Sequence, residues 1–278
     1  MAIIKETVKE VVKFAPYIVG DETTFVDMIM KKKNKHVDTK YVSNGVRVMD
    51  SINKDVLGEN GEEYDDSKLT ESDKILVENT CQEIRRWRKI PDGVASNKDY
   101  IAGEIEDAIL ELKTVMDYQF LYANTAKFKG VAFTTGIKTA SLASNYTLNN
   151  LRDAIVSAGG KHDTILLNSK TALKISDMYK TGSTKMHQDV VVNFDIKKMI
   201  VLNQELDILI DNNVKDDEFF VFAKKDFDFH YVKDSYGDRD IYVEEMGRSG
   251  ANTKVMIDTN SCVLVDYPMN TVYIKVAV

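Results

Sequence analysis

The sequence contains few residues of the kinds that build covalent or metal-held frameworks. Among 278 residues there are only two cysteines, Cys81 and Cys262, and four histidines. The cysteines lack CxxC spacing and the histidines lack HExxH or paired spacing, which argues against a disulfide framework and a zinc site. We predict that both cysteines are buried core thiols of a protein in a reducing compartment.

Motifs of nucleotide enzymes and serine hydrolases are absent as well. The chain contains no GxxxxGK[ST], GxGxxG or GxSxG, and Gly159-Gly160-Lys161 lacks the loop context of a phosphate site. Because the histidines are scattered, none of them can be assigned as a base that is fixed beside a nucleophile. We therefore expect no catalytic residues, no cofactor and no metal, and hence a protein that is not an enzyme.

The chain also lacks long apolar runs and an excess of positive charge. No window approaches about 18 uncharged apolar residues and the first residues form no long apolar segment, so neither a membrane span nor a signal peptide is expected. The net charge of −7 and the pI near 5.3 argue against a protein whose main task is to grip nucleic acid. A hydrophobic content of 44% is enough for one large or two modest cores.

The longest periodic stretch predicts a helix over 96–128. Ser96 and Asn97 are suited to cap its start, and Gly130 follows its end. A helix of this length spans about 45 Å, so we expect a spine that organises the chain. Its face predicted to be buried consists of Ile101, Ile105, Ile109, Leu112, Met116, Phe120 and Ala123.

The segment before this helix is predicted to form an arm and a projection. Residues 31–35 are expected to be a solvated run of lysines, with contact to phosphate or an acidic neighbour as the alternative. Alternation around the turn signal Ser43-Asn44-Gly45 predicts a β-hairpin. With the acidic stretch 58–73 it forms an extended loop that has no core of its own. A calcium loop is the rival interpretation, but its ligand spacing is missing.

Residues 72–90 are predicted as a helix that ends in Arg85-Arg86-Trp87-Arg88-Lys89 before a Pro-Asp-Gly stop. Basic residues near a helix C-terminus are favoured by the helix dipole, which accounts for this run without a function. A patch of Arg and Trp that binds nucleic acid is the alternative.

The middle of the chain, 137–213, alternates helix and strand and predicts an α/β unit. Thr147 is expected to cap a helix that ends at Gly159-Gly160. A strand over 164–167 and a helix that begins at Ser169 are expected to follow. A short strand is also predicted over 131–134, just before this unit.

The last segment, 214–278, is predicted as mostly strand, with Thr259-Asn260 as a turn. In the strand Asp226 to Tyr231, alternation places Asp226, Asp228 and His230 on one side as a possible metal cluster. An amphipathic strand with one wet face explains the same pattern without a metal and is the preferred interpretation. A metal-dependent enzyme that uses this strand stays as an alternative.

This order of elements resembles the major capsid proteins of tailed bacteriophages, whose Johnson fold is shared by encapsulin shells and herpesvirus capsid floors. Asp21-Glu22-Thr23-Thr24-Phe25 is similar to the family's D-x-T-P-F motif in the arm, with Thr24 in the place of proline. Residues 148–169 are similar to the helix, Gly-Gly and strand that begin the axial domain. Residues 206–222 are similar to the strand that returns to the peripheral domain.

The resemblance implies a structural subunit of α+β class that assembles into pentamers and hexamers. These would form the icosahedral head of a tailed bacteriophage around its DNA, assembled in the cytoplasm of the bacterial host and present in the virion. The implied parts are an N-terminal arm over 1–35, an extended loop over 36–73, a peripheral domain over 74–136, an axial domain over 137–213, and a β-rich return to the peripheral domain over 214–278.

The resemblance also implies partners. Because the arm begins at Met1, a separate scaffolding protein is expected, together with a portal and weak, non-specific contact with packaged double-stranded DNA; no membrane is involved. An encapsulin-like shell around a cargo enzyme is the alternative. We expect the acidic loop to meet basic segments of a neighbouring subunit. The candidate contacts are Phe25, Lys32, Lys33, Tyr41, Glu62, Glu63, Asp65, Asp66, Arg85, Arg86 and Arg88.

Overall fold

The computed structural model describes residues 7, 11, 18, 24–32, 35–48, 73–181, 191–192, 195–196, 198–201, 204–232 and 240–277. Its helices are α1 (Thr24–Met30), α2 (Lys98–Tyr122), α3 (Leu148–Ala158) and α4 (Ser169–Thr181). Its strands are β1 (Lys35–Val37), β2 (Tyr41–Val48), β3 (Asp73–Thr80), β4 (Gln82–Pro91), β5 (Lys138–Leu142), β6 (Thr164–Leu167), β7 (Val191–Val192), β8 (Asp195–Ile196), β9 (Lys198–Val201), β10 (Gln204–Ile210), β11 (Glu218–Phe222), β12 (Phe227–Val232), β13 (Tyr242–Ser249), β14 (Asn252–Val265) and β15 (Val272–Val276). Among the helices in these ranges, none is long and apolar enough to cross a membrane.

Helix α2 is the long helix that the sequence predicts. The Asn97 side chain caps its start by accepting hydrogen bonds from the backbone N–H groups of Asp99 and Tyr100, at 3.1 and 3.2 Å. The predicted apolar stripe is buried along its length. The helix ends at Tyr122 rather than at 128, because the chain then folds back and the backbone N–H of Gly130 binds the carbonyl oxygen of Ala123 at 2.7 Å.

Gly130 is required where the chain folds back on the end of α2. A Cβ at this position would lie 2.7 Å from the backbone nitrogens of Tyr122 and Ala123. Because these are backbone atoms, they cannot move aside as a flexible side chain could. We expect Gly130→Ala to lower the free energy of unfolding by about 1–3 kcal/mol, measured by chemical denaturation.

Gly103 provides the matched control for this prediction. It lies inside α2, and a Cβ added there would meet no atom within 4 Å. Since glycine is costly in a helix interior, Gly103→Ala should raise the free energy of unfolding by about 0.5–1 kcal/mol. Similar losses in the two variants would contradict the steric explanation.

A five-stranded sheet lies against α2, in the order β1-β12-β14-β13, with β4 also paired to β14. The long strand β14 pairs with β13 and β4 along its first half and with β12 along its second half. Thr259-Asn260 lies inside β14, so the turn predicted there is wrong. The chain turns instead before Asn252, where Gly250 adopts a φ of 65°.

Strands β3 and β4 replace the helix predicted over 72–90, and that prediction is wrong. All ten residues of β4 pair with β14, from Gln82 opposite Ser261 to Pro91 opposite Asn252. Ile84 and Ile90 are buried on the side that faces α2. The segment forms a strand with alternating faces rather than a helix, because β14 supplies backbone hydrogen-bond partners along all of β4.

A second sheet has six strands in the order β5-β15-β11-β6-β10-β9. Helix α3 packs against β5 and β15. It is capped by Thr147, whose hydroxyl accepts from the backbone N–H of Asn150 at 3.3 Å, and it ends at Gly159, which has a φ of 64°. The predicted cap, stop, following strand and helix start in this region are confirmed.

The segment 214–278 divides between the two sheets. Strands β12, β13 and β14 join the five-stranded sheet, and β11 and β15 complete the six-stranded sheet. Strand β6 is buried at every residue, and its two edges are filled by β10 and β11, while β15 pairs with the other edge of β11. The short strand predicted over 131–134 is wrong, since Val131–Phe133 forms a 3-10 turn.

Candidate intersubunit surfaces

Strands β2 and β3 form an antiparallel hairpin with a two-stranded sheet of its own. Their register runs from Tyr41 opposite Thr80 to Val48 opposite Asp73. Residues 43–45 lie in the middle of β2, so the turn predicted there is wrong, because β3 offers this stretch a continuous ladder. The hairpin that is present pairs β2 with β3 instead, and the segment that connects them, 49–72, lies outside the described residues.

The two faces of this hairpin differ in polarity and exposure. Val42, Val46 and Val77 are buried on the inner face. On the outer face, Tyr41 is 52% exposed and Leu76 is 56% exposed. The hydroxyl of Tyr41 donates to the carboxylate of Glu78. The hairpin thus exposes two large apolar side chains on its outer face.

The base of the hairpin is fixed by a buried amide. The Asn79 side chain donates to the carbonyl oxygens of Lys129 and Val263, at 2.8 and 2.9 Å, and accepts from the backbone N–H of Lys129 at 3.0 Å. The backbone N–H of Cys81 donates to the carbonyl oxygen of Lys40 at 2.6 Å. The hairpin is therefore anchored both to the chain beyond α2 and to β14.

The outward face of β4 is basic and aromatic. Trp87 lies at its centre and is 49% exposed, between Arg85 and Lys89. The guanidinium of Arg85 contacts Glu83 and lies 3.4 Å from Asp258 of β14. This face, formed by Arg85, Trp87 and Lys89, is called the β4 face below.

The remaining two arginines of the strand point to its other side. Arg88 binds Glu111 of α2 through two hydrogen bonds of 2.6 and 3.1 Å, and its Nε lies 3.6 Å from Glu104. The hydrogen bond with Arg88 holds the pKa of Glu111 below its ordinary value. Arg86 donates to the carbonyl oxygen of Arg85 at 2.9 Å. The basic run thus lies on a strand with two faces, and its explanation by a helix dipole is wrong.

Helix α1 is tied to α2 and to the loop after β10. The backbone N–H of Phe25 donates to Asp211 at 2.9 Å, and that of Val26 donates to Asp117 at 2.8 Å. Asp27 forms a buried ion pair with Lys113, with 2.6 Å between Nζ and Oδ1. Two carboxylates and one ion pair therefore anchor a helix of only seven residues.

Phe25 is a core residue of its own chain. Its side chain is fully buried, with ring centroids 6.1 Å from Phe222 and 5.5 Å from Phe227 in edge-to-face contacts. A side chain enclosed in this way has no surface for a neighbouring subunit. The prediction of Phe25 as an intersubunit contact is therefore wrong.

Lys32 is held by its own chain rather than by solvent. Its ammonium donates to the carbonyl oxygens of Lys224 and Phe227, the latter at 3.1 Å. Burial lowers the pKa of Lys32, against the opposing effect of Asp228. The prediction of a solvated lysine run is wrong at this residue, although Lys31 is exposed.

Asp226 and His230 are buried and Asp228 is half-buried, so the wet face predicted for the strand Asp226 to Tyr231 is wrong. His230 lies opposite Cys262 in the sheet register, and the base of the hairpin covers that side through Cys81. Asp226 accepts a hydrogen bond from the Asn270 side chain at 2.8 Å. Across the described ranges, no group of three or more potential ligands is arranged to hold a metal ion.

Five of the predicted contact residues lie outside the residues that the structure describes: Lys33, Glu62, Glu63, Asp65 and Asp66. Sequence reasoning also missed the polar anchors of the arm and hairpin. Lys113 and Asp117 are fully buried, although neither belongs to the apolar stripe that is predicted for α2. Their separation by four residues on that helix was the available signal.

The carboxyl groups of Asp117 and Asp211 form a buried acidic pair beneath α1. Burial and the neighbouring Asp211 raise the pKa of Asp117 well above its ordinary value of 3.8. The groups that face it are Asp211, the Asn213 side chain at 3.0 Å and the backbone N–H of Val26, with the Lys113–Asp27 ion pair one helical turn away. The pair therefore favours a shared proton in the folded chain.

This pair predicts a pH dependence of stability. Because the folded pKa of Asp117 is raised, its favourable contribution is complete below pH 3.8 and is lost as the pH rises through the folded value. Asp117→Asn cannot ionise there. We expect the stability of the wild type relative to this variant to fall as the pH rises above about 4, by up to about 1.4 kcal/mol per pH unit, until the folded pKa of Asp117 is passed. Denaturation at several pH values measures this difference, and a constant difference would contradict the prediction.

Comparison with known proteins finds matches over most of the chain. Residues 7–277 match the family model described as SU10 major capsid protein. A virus-like particle from Pyrococcus furiosus shares the fold at 12% identity, over 92% of this chain and 97% of that chain, with a TM-score of 0.57. The capsid of an empty GTA particle shares the fold at 13% identity, over 94% of this chain and 92% of that chain, with a TM-score of 0.59. A structure from Mycobacterium phage Bobi shares it at 8% identity, over 92% of this chain and 91% of that chain, with a TM-score of 0.60. No curated protein sequence matches.

Proposed function

The chain belongs to the SU10 major capsid protein family, and on this basis we propose that its copies assemble as pentamers and hexamers into the icosahedral head of a tailed bacteriophage. The match over residues 7–277 carries the proposal. The chain is a structural capsid protein with the α+β Johnson fold that the sequence predicts, shared with the structural neighbours. The family match favours this role over an encapsulin-like compartment.

We also propose the partners that such a head requires. A separate scaffolding protein and a portal would take part in assembly in the host cytoplasm, and the finished virion would enclose double-stranded DNA. A net charge of −7 supports only weak, local contact with that DNA. The chain would act by assembly and would catalyse no reaction.

The exposed outer face of the hairpin supports the proposal that the hairpin contacts a neighbouring subunit. A two-stranded ribbon is marginal in isolation, and this one leaves Tyr41 and Leu76 about half exposed on its outer face. Burial of both side chains by a neighbour would contribute about 1.5–3 kcal/mol for each at most. Contact in a shell thus offsets the conformational entropy of holding the ribbon in place.

Charge complementarity indicates where the connection of the hairpin would dock. Residues 58–73 contain seven carboxylates, at Glu59, Glu62, Glu63, Asp65, Asp66, Glu71 and Asp73, and one basic residue, Lys68. The β4 face offers Arg85 and Lys89 around Trp87, and tryptophan and arginine are enriched at the centres of interfaces. We infer that the acidic segment of one subunit lies against the β4 face of the next.

Electron microscopy of the purified chain, expressed alone and with its scaffolding protein, tests the assembly proposal. Closed shells or rings of five or six subunits, together with a matching elution volume in size-exclusion chromatography, are the expected result. A monodisperse monomer in both preparations would overturn it. Shells that enclose a cargo enzyme instead of DNA would favour the encapsulin-like alternative.

Charge reversal tests the docking of the acidic segment. We expect Arg85→Glu with Lys89→Glu to reduce the yield of assembled particles by about tenfold or more, because like charges on the β4 face would meet the carboxylates of the neighbour. Sedimentation measures the particle fraction, and circular dichroism confirms that the variant is folded.

Arg152→Glu is the matched control, since Arg152 pairs with Asp153 on the surface of α3, far along the chain from β4. It should assemble like the wild type. Compensating changes Glu62→Lys and Glu63→Lys should restore part of the assembly that the Arg85 and Lys89 variant loses. Normal assembly of the Arg85 and Lys89 variant would rule out this contact.

A further inference from the structure

Cys81 is the single residue between β3 and β4, and it lies at the base of the hairpin. Its thiol is buried beside that of Cys262 on β14, with 3.3 Å between the two sulfur atoms. Both cysteines are free thiols, and 181 positions of the sequence separate them. The fold thus brings together the only two cysteines of the chain at the point where the hairpin leaves the sheet.

The positions of both thiols are set by neighbouring backbone. Cys262 is held in β14 opposite His230 of β12, one residue beyond the last pair of β14 with β4. Cys81 is held by its N–H bond to Lys40 and by the buried Asn79 two residues earlier. A disulfide has about 2.05 Å between its sulfur atoms, so an approach of a little over 1 Å would be enough to form the bond.

We propose that Cys81 and Cys262 form a modification site, at which a low-molecular-weight disulfide oxidises the two thiols to an intramolecular disulfide that locks the base of the hairpin to β14. The bond would join the hairpin to the sheet covalently, close to the hydrogen bonds of Asn79. It would fix the direction in which the hairpin leaves its subunit. The bond does not depend on assembly, so its failure and that of the proposed capsid function can be told apart.

The reaction balances as two thiol–disulfide exchanges. One cysteine thiolate attacks a sulfur of oxidised glutathione, forms a mixed disulfide and releases one glutathione thiolate. The second cysteine thiolate then attacks the protein sulfur of the mixed disulfide and releases the second glutathione. The two protein thiols are oxidised, one glutathione disulfide is reduced, and the two protons end on the two glutathione thiols.

Burial makes the first exchange slow in the closed structure. Both thiols are at most 1% exposed, and the hydrogen bond with Cys81 and burial raise the pKa of Cys262, which lowers its thiolate fraction. A glutathione molecule reaches them only when the base of the hairpin opens locally. The second exchange is fast by comparison, because the partner sulfur is already adjacent.

The test uses the full, native chain incubated with excess oxidised glutathione, followed by denaturation in N-ethylmaleimide and intact mass measurement. The expected product is lighter than the reduced chain by two hydrogen atoms, carries no maleimide, and yields a linked pair of peptides with Cys81 and Cys262. Two maleimide adducts, a persistent glutathione adduct or a disulfide between two chains would overturn the site.

Two single variants and one further readout complete the test. Cys81→Ser and Cys262→Ser should end with one glutathione or one maleimide adduct and never with the lighter product. In the oxidised wild type, backbone hydrogen exchange in β2 and β3 should slow by about fivefold, and dithiothreitol should reverse this change. A disulfide that leaves this exchange unchanged would overturn the proposed lock.

Discussion

Replacement of Lys113 by methionine is expected to lower the free energy of unfolding by about 3–5 kcal/mol. The side chain is 0% exposed, and its ammonium donates to Asp27 at 2.6 Å and to the carbonyl oxygen of Ile18. Methionine fills a similar volume but leaves the carboxylate of Asp27 buried without its countercharge. The loss therefore reflects an uncompensated charge rather than a cavity.

A double variant separates these two causes. Lys113→Met with Asp27→Leu removes both charges, and we expect it to recover most of the stability, because apolar residues of similar volume often replace a buried ion pair at little cost. Lys174→Met is the matched surface control. Lys174 pairs with Asp217 at 2.5 Å but is half-exposed, so its loss should cost at most about 1 kcal/mol.

Chemical denaturation of the four proteins gives the required differences. A loss below about 1 kcal/mol in Lys113→Met would show that the ion pair is not buried in solution. Equal losses in the single and double variants would show that packing of the lysine stem, and not charge, is what α1 needs.

Local signals explain which elements could be predicted from the sequence. Helix α3 carries its own cap and stop in Thr147 and Gly159, and α2 repeats its apolar residues over many turns. These features depend on neighbours within a few positions. A sequence pattern therefore identifies them without knowledge of the fold.

The misassigned elements depend on partners that are distant in the sequence. β4 is a strand because β14 pairs with it from about 170 positions away, and β14 continues through Thr259-Asn260 because β4, β12 and β13 line its edges. Propensity alone favours a helix in the first case and a turn in the second. Only the tertiary pairing decides between them.

The candidate surfaces show the same division. The sequence identifies the charge of Arg85 and Arg88, but only the strand shows that Arg85 lies on the β4 face while Arg88 binds Glu111 of α2. The anchors of α1 join residues 91 and 186 positions apart. The spacing of Lys113 and Asp117 places two charges on one face of α2, but nothing in the local sequence of Asp117 or Asp211 identifies the arm as their partner.

Phe25→Ala is expected to cost about 3–5 kcal/mol of stability, as do other truncations of fully buried phenylalanines. The ring lies against Phe222 of β11 and Phe227 of β12, which belong to the six-stranded and the five-stranded sheet. Its removal leaves a cavity where the two sheets meet. Phe133→Ala is the control, since Phe133 is 39% exposed and should lose about 1 kcal/mol or less.

Hydrogen exchange would show where the Phe25→Ala loss is located. A helix of seven residues is unstable alone, so α1 persists through the burial of Phe25, its ion pair and its two carboxylate acceptors. We expect hydrogen exchange in α1 to accelerate more than hydrogen exchange in α3. Helix α3 packs on the face of the six-stranded sheet opposite to the one that contacts Phe25. Equal acceleration in both helices would mean that the ring supports the whole fold. A selective effect on α1 would mean that Phe25 chiefly holds the arm in place. A capsid subunit needs its arm in place before a neighbour can bind it.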